Sequence, residues 1–211
     1  MLFGSGQLLD ATKYFIILPD GIGHGKSSKP SDGLHAKFPR YTYDDMIKAQ
    51  YEVLTKKLGV NHLRLVMGTS MGGMQTWVWA EMYPDFMDAL MPLASNPVEI
   101  AGRNRIWRFM AIDAIKSDPD WMGGEYKTQP VRSLTTAQDL LLLAGSAPLN
   151  WQAVAPTRAA AEKFYLDRFK PARRATGRER SHLSARCVTR IQSGAQAGID
   201  QGPARRYQFR G

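Results

Sequence analysis

Cysteine is almost missing from this sequence: Cys187 is the single one among 211 residues. One thiol excludes an internal disulfide framework and a zinc site of the CxxC kind. Long apolar runs are missing too. The longest, Leu140 to Gly145 with its flanks, is far short of the roughly 20 residues a membrane span needs. Met1–Gly6 lacks the basic region and apolar stretch of a secretory leader. The expectation is a cytoplasmic chain with no membrane partner. No internal repeat is visible. The 44% hydrophobic and 22% charged content is ordinary for a globular protein, and the length suits one core, or one core with an appendage.

Acidic residues are scarce in one region alone. The chain has 28 Lys+Arg against 19 Asp+Glu, a net +9, which taken whole points to an anionic macromolecule as partner. Resolved by position, residues 1–167 hold 17 basic and 17 acidic side chains, and residues 168–211 hold 11 and 2. The whole excess lies in the last 44 positions. That stretch also has just six Leu, Ile, Val or Phe, a composition that predicts disorder.

What is present reads as alternating strands and helices. Lys13-Tyr-Phe-Ile-Ile-Leu18 is a continuous apolar run that predicts a buried parallel strand. Thr42, with Asp45 three residues on, opens a helix whose stripe is Ile47, Tyr51, Leu54 and Leu58, and Gly59 stops it. Leu63–Met67 predicts a second strand and Met74–Tyr83 a helix ended by Pro84. Ala89–Leu93 predicts a third strand. Short links between them imply βαβ crossovers, so the fold class is α/β with a parallel sheet flanked by helices. After Asn96, Arg105–Ile115 and Thr136–Ala144 are helix-like around the loop Asp118–Pro130. The expected organisation is a sheet core over 1–95, a helical lid over 96–167 and a basic tail over 168–211.

Gly68-Thr69-Ser70-Met71-Gly72 fits G-x-S-x-G, the serine elbow. A serine on a sharp strand-to-helix turn needs small residues two positions away on each side, because the backbone is cramped. The turn lifts the hydroxyl above the sheet edge, and the following helix N-terminus favours developing negative charge. Ser70 is the candidate nucleophile, and the Met71 N–H a candidate oxyanion donor.

The loop Asp20–Ser27 ends in Gly25-Lys26-Ser27, like a phosphate-binding loop, but Asp20 stands where that pattern needs its first glycine. A loop framing the serine pocket fits better. Of the histidines, His62 precedes a strand whose far end carries Ser70, His35 reads as a solvated loop residue, and His24 as part of its own turn. His182 alone lies well downstream, where this elbow arrangement puts its base. No complete triad assembles. Met71, Met74, Trp77 and Trp79 read as helix-face core. Asn104, Arg105 and Arg108 are either a surface helix end or a clamp for a substrate carboxylate.

Pro19-Asp-Gly-Ile-Gly-His-Gly-Lys-Ser-Ser28, Phe38-Pro-Arg-Tyr-Thr-Tyr-Asp-Asp45, Gly68-Thr-Ser-Met-Gly-Gly73 and Tyr83-Pro-Asp-Phe86 together resemble the homoserine O-acetyltransferase branch of the α/β-hydrolase fold. Asp118-Pro-Asp-Trp-Met-Gly-Gly124 resembles that branch's lid. The resemblance covers residues 1–167. It implies acylation of Ser70 by a small-molecule acyl donor such as acetyl-CoA or another acyl-CoA, then transfer to a hydroxyl acceptor or to water, with no bound cofactor or metal and a homodimer as a possible assembly. The family's earlier strands, with the loop giving the second oxyanion amide, have no counterpart here, nor do its catalytic Asp and His. Impaired activity is therefore expected. Permissible codons for residues 178–190 and 203–211, read one base on, give family-like segments in one shared frame. A reading-frame change near residues 168–178 is thus expected to account for the tail, and nucleic acid is disfavoured as a partner.

Overall fold

The computed structural model describes residues 2–168; the expectations for His182, Cys187 and the basic tail lie outside them. Helix α1 spans Tyr43–Glu52, and Thr42 caps it as the sequence predicts. Thr42 Oγ1 accepts from the Asp45 N–H at 3.3 Å, and the Asp45 carboxylate accepts the Thr42 N–H at 2.8 Å. The reciprocal bonds satisfy two of the amides that a helix start otherwise leaves open. A wider turn over Val53–Lys57 continues α1, and Gly59, at φ +65°, ends it. Strands β1, Val66–Thr69, and β2, Leu90–Leu93, pair in parallel, with Val66 opposite Leu90 and Thr69 opposite Leu93. Helix α2, Met71–Met82, links them. Between α1, α2 and the strands lies a core of Ile47, Leu54, Trp79 and Met87.

The first predicted strand is absent. Lys13–Leu18 has no partner in the sheet, which among the described residues consists of β1 and β2. Ile17 packs on the core, but Phe15 is 77% and Leu18 75% exposed. A β-rich run becomes a strand only when a neighbour takes its backbone bonds, and none is in place here. At the opposite end of β1 from Ser70, Asp88 accepts from Arg64 Nη1 at 2.9 Å and bonds His62 Nε2 at 2.8 Å. That cluster pins the entries to the two strands, where Leu63 bridges Met87.

The rest is helical: α3, Gly102–Lys116; α4, Val131–Ala144; α5, Pro148–Val154; and α6, Arg158–Arg168. Helices α3 and α4 meet through Ala111, Ile115, Leu134 and Ala137, the alanines letting their axes approach closely. The sequence reading started α3 and α4 late and missed α5 and α6. Among the described residues no helix is long and apolar enough to cross a membrane.

Asp118 joins these helices. Its carboxylate accepts the Asp120 N–H at 3.0 Å and the Ser133 N–H of α4 at 3.2 Å. Hydrogen bonds from Ser133 and Asp120 hold its carboxyl below the ordinary carboxylate value. A lowered folded-state pKa gives stability that is present above the unfolded value and lost as pH falls through the folded one. Asp118→Asn is expected to remove that acid-side loss. Melting temperatures measured downward from pH 5 should fall less steeply in the variant, and equal slopes would refute this role.

Candidate active site

The chain leaves β1 at Thr69 and enters α2 at Met71, so a single residue, Ser70, makes the turn. Ser70 sits at φ 56°, ψ −114°, a conformation that costs a non-glycine residue about 1–3 kcal/mol. Two backbone bonds hold it there. Its N–H donates to the Leu93 carbonyl at the end of β2 at 2.9 Å, and its own carbonyl accepts the Met74 N–H at 3.0 Å. The side chain is exposed at the sheet's C-terminal edge. Met71, as the first residue of α2, has an N–H without an acceptor inside the helix. An exposed hydroxyl beside a free amide at a helix N-terminus is an arrangement for attacking a carbonyl and stabilising the resulting oxyanion.

The glycines divide the steric work differently from the motif. A Cβ on Gly68 would overlap the backbone carbonyl of Gly72, whereas a Cβ on Gly72 would meet nothing within 4 Å. The second glycine that packing demands is Gly73, whose Cβ would lie 2.8 Å from the Leu93 carbonyl oxygen. Gly68 therefore lets the strand approach the helix, and Gly73 lets the helix approach β2.

The Asp20–Ser27 loop closes on itself. The Asp20 carboxylate accepts the Lys26 N–H at 2.9 Å, and its backbone carbonyl accepts the Ser27 hydroxyl at 2.6 Å. The N–H groups of Gly23, His24 and Ser27 donate to carbonyls of the same loop or its flank. A carboxylate already fills the place a phosphate would take.

None of the described histidines bonds Ser70. His62 lies before the opposite end of β1, where its Nε2 bonds the Asp88 carboxylate at 2.8 Å. His24 Nδ1 contacts the Ile22 carbonyl at 3.1 Å. His35 corrects the reading of a solvated loop residue. It is half-buried at φ 45°, edge-on to Tyr126 with ring centroids 6.2 Å apart, and its Nδ1 has no partner among the described residues.

Of the presumed helix-face core, Trp79 is buried at 3% exposure, while Met71, Met74 and Trp77 are half-buried. Met74 and Trp77 line an open groove beside α2 together with Tyr43; Ser70 is not part of its wall. Of Asn104, Arg105 and Arg108, the structure joins the first and the last by a hydrogen bond. Arg105 lies 6.0 Å over the Phe109 ring of its own helix. Arg108 is half-buried, stacked 4.5 Å from Trp107, and its Nε donates to Asn104 Oδ1 at 2.8 Å. Burial pushes its guanidinium below the usual arginine value, partly offset by Tyr43, and burial pushes the Tyr43 phenol up, partly offset by Arg108. Tyr43 is the residue the sequence reading missed; its place at the start of a capped helix was the available signal.

A parallel sheet with helices and a strained serine between strand and helix define the class. A family described as alpha/beta hydrolase fold matches residues 3–170, and the chain belongs to that family. Within it, the chain is similar to the homoserine O-acetyltransferase of Moorella thermoacetica (strain ATCC 39073 / JCM 9320). The two are 34% identical over 164 residues, covering 71% of this chain and 42% of that protein. The homoserine O-acetyltransferase of Chlorobaculum parvum (strain DSM 263 / NCIMB 8327) is 36% identical over 151 residues, covering 65% of this chain and 41% of that one. Among solved structures, the acetyl esterase MekB superposes with a TM-score of 0.69 at 26% identity over 93% of this chain and 56% of that chain. The homoserine O-acetyltransferase from Bacillus anthracis gives 0.68 at 25% over 94% and 57%. The chain thus spans about half the length, or less, of the relatives it matches.

Proposed function

We propose that Ser70 is the nucleophile of an acyl-transfer reaction. The strained turn that carries its exposed hydroxyl beside the Met71 amide is the observation behind this reading. In the reaction, Ser70 Oγ attacks the carbonyl of an acyl donor such as acetyl-CoA or another acyl-CoA; the relatives' names give the transferred group as acetyl. The Met71 N–H stabilises the tetrahedral oxyanion, and collapse expels the donor's thiol or alcohol and leaves an ester on Ser70. The acceptor's hydroxyl then takes the acyl group. Arg108, half-buried and without a carboxylate partner among the described residues, would receive the acceptor's carboxylate if the acceptor is homoserine, which the relatives' names give, or a similar hydroxy amino acid. Ester hydrolysis, with water as acceptor, is the second reading, favoured by the likeness to an acetyl esterase. No base is assigned to Ser70 among the described residues. Loss of the base from such a serine costs on the order of 10⁶ in kcat, so turnover by this chain is expected to be low.

Chemical labelling tests the nucleophile without turnover. Prolonged incubation with a fluorophosphonate at pH 8.5, followed by peptide mass spectrometry, should place one adduct on Ser70. Ser70→Ala should abolish it at an unchanged melting temperature. An adduct on another residue, or one that survives Ser70→Ala, refutes the assignment.

A further inference from the structure

Among the described residues, the cores on the two sides of the chain link after β2 share no member. Ile47, Leu54, Trp79 and Met87, with Phe38, Tyr41 and Met46 beside them, belong to the part that carries Ser70. Ala111, Ile115, Leu134 and Ala137 belong to α3 and α4. The chain passes between the two parts once, from Leu93 at the end of β2 to Gly102 at the start of α3. A left-handed residue stands near each end of that link, Ala94 at φ 48° and Gly102 at φ 54°. Hinges absorb rotation at element ends of this kind. The parts meet again where the turn His35–Lys37 lies against Pro119–Gly124. The Ala36 N–H donates to Glu125 Oε1 at 3.3 Å, the long end of the hydrogen-bond range, and both residues are exposed. The His35 ring stands edge-on to Tyr126, which stacks on Trp121, itself packed against the α3–α4 core.

This meeting point also carries costs. His35 is held at φ 45°, and its buried Nδ1 has no partner among the described residues. No residue of His35–Lys37 is buried, so little apolar area offsets them. One long hydrogen bond and one ring contact stand against backbone strain and an unpaired nitrogen, a balance that belongs to local opening and not to global unfolding. We propose that the contact is a releasable latch: the α3–α4 part swings as a body about Ala94 and Gly102, and His35, Glu125 and Tyr126 hold it closed. Each part keeps its own core when the latch opens. The latch segment leads to the elbow, because Phe38 and Tyr41 pack with Met71, the residue after Ser70. Opening therefore changes the position of every α3 side chain relative to Ser70. The latch does not depend on the role given to Ser70.

The distance between two spin labels on the full chain, measured by double electron–electron resonance, tests this. Lys48→Cys on α1 and Gln138→Cys on α4 put one label at an exposed position on each part, with Cys187→Ser removing the native thiol. Glu125→Ala, which touches neither core, should raise the ratio of a second distance to the closed one roughly fivefold, about the worth of one hydrogen bond. Tyr126→Leu, which removes the ring contact, should raise it as well. Both variants should keep the urea midpoint of the labelled parent. One distance, the same in the parent and in both variants, overturns the latch. A new distance that comes with a lowered midpoint in both variants also overturns it, because the contact is then part of the cooperative fold.

Discussion

Gly68→Ala is expected to collapse the elbow, while Gly72→Ala, the other glycine of the motif, leaves it standing. The physical difference lies in where each Cβ would point. At Gly68 it enters the backbone of Gly72, where no side-chain rotation can relieve the overlap, so β1 and α2 must separate. That movement breaks the Ser70–Leu93 bond holding the serine in its strained conformation. Overpacking of this kind costs about 3 kcal/mol or more when backbone must move. At Gly72 the added methyl meets open space, and inside a helix alanine is favoured over glycine by up to about 1 kcal/mol. Urea unfolding followed by circular dichroism, with fluorophosphonate labelling of Ser70 alongside, separates the two. Gly68→Ala should lower the midpoint and abolish labelling, and Gly72→Ala should do neither. Equal behaviour of the two variants would show that the strand–helix approach does not maintain the elbow.

The elbow was legible because its geometry is local: strain at one serine demands small residues at fixed offsets, and the offsets are written in the chain. The capped start of α1 was legible for the same reason, since Thr42 and Asp45 satisfy each other within one turn. Lys13–Leu18 was not, because side-chain pattern reports β preference but not the presence of a partner strand. Gly73 went unassigned because its constraint comes from Leu93 and Ser95, some twenty residues on. The Tyr43–Met74 bond spans 31 positions, and nothing in local spacing announces it. Helices α5 and α6 had readable starts, Pro148 at the first turn and Thr157 Oγ1 accepting the Ala160 N–H. Their apolar stripes are too weak to make a pattern.

The scaffold holding the elbow depends most on Trp79, where Trp79→Ala should cost about 3–5 kcal/mol. The indole is 3% exposed. It lies with Phe86, ring centroids 5.8 Å apart and 17° from coplanar, and tilted against Tyr83 at 5.4 Å and Tyr51 at 6.3 Å. Its Nε1 donates to Gln50 Oε1 at 3.1 Å, and Gln50 Nε2 donates to Gln75 Oε1 at 2.9 Å. One side chain of α2 thus holds α1 both through apolar contact and through a polar chain that also returns to α2. Truncation would leave a cavity the size of an indole between two helices and an acceptor on Gln50 without its donor. Trp79→Phe refills most of the volume and loses the hydrogen bond alone, worth about 1 kcal/mol. Since a domain's whole stability is about 5–15 kcal/mol, the alanine variant should be largely unfolded at 37 °C and the phenylalanine variant folded. Urea midpoints with an unchanged slope measure both. An alanine variant no less stable than the phenylalanine variant would mean that the α1–α2 contact, and with it the seat of Ser70, is held by the apolar residues around Trp79 instead.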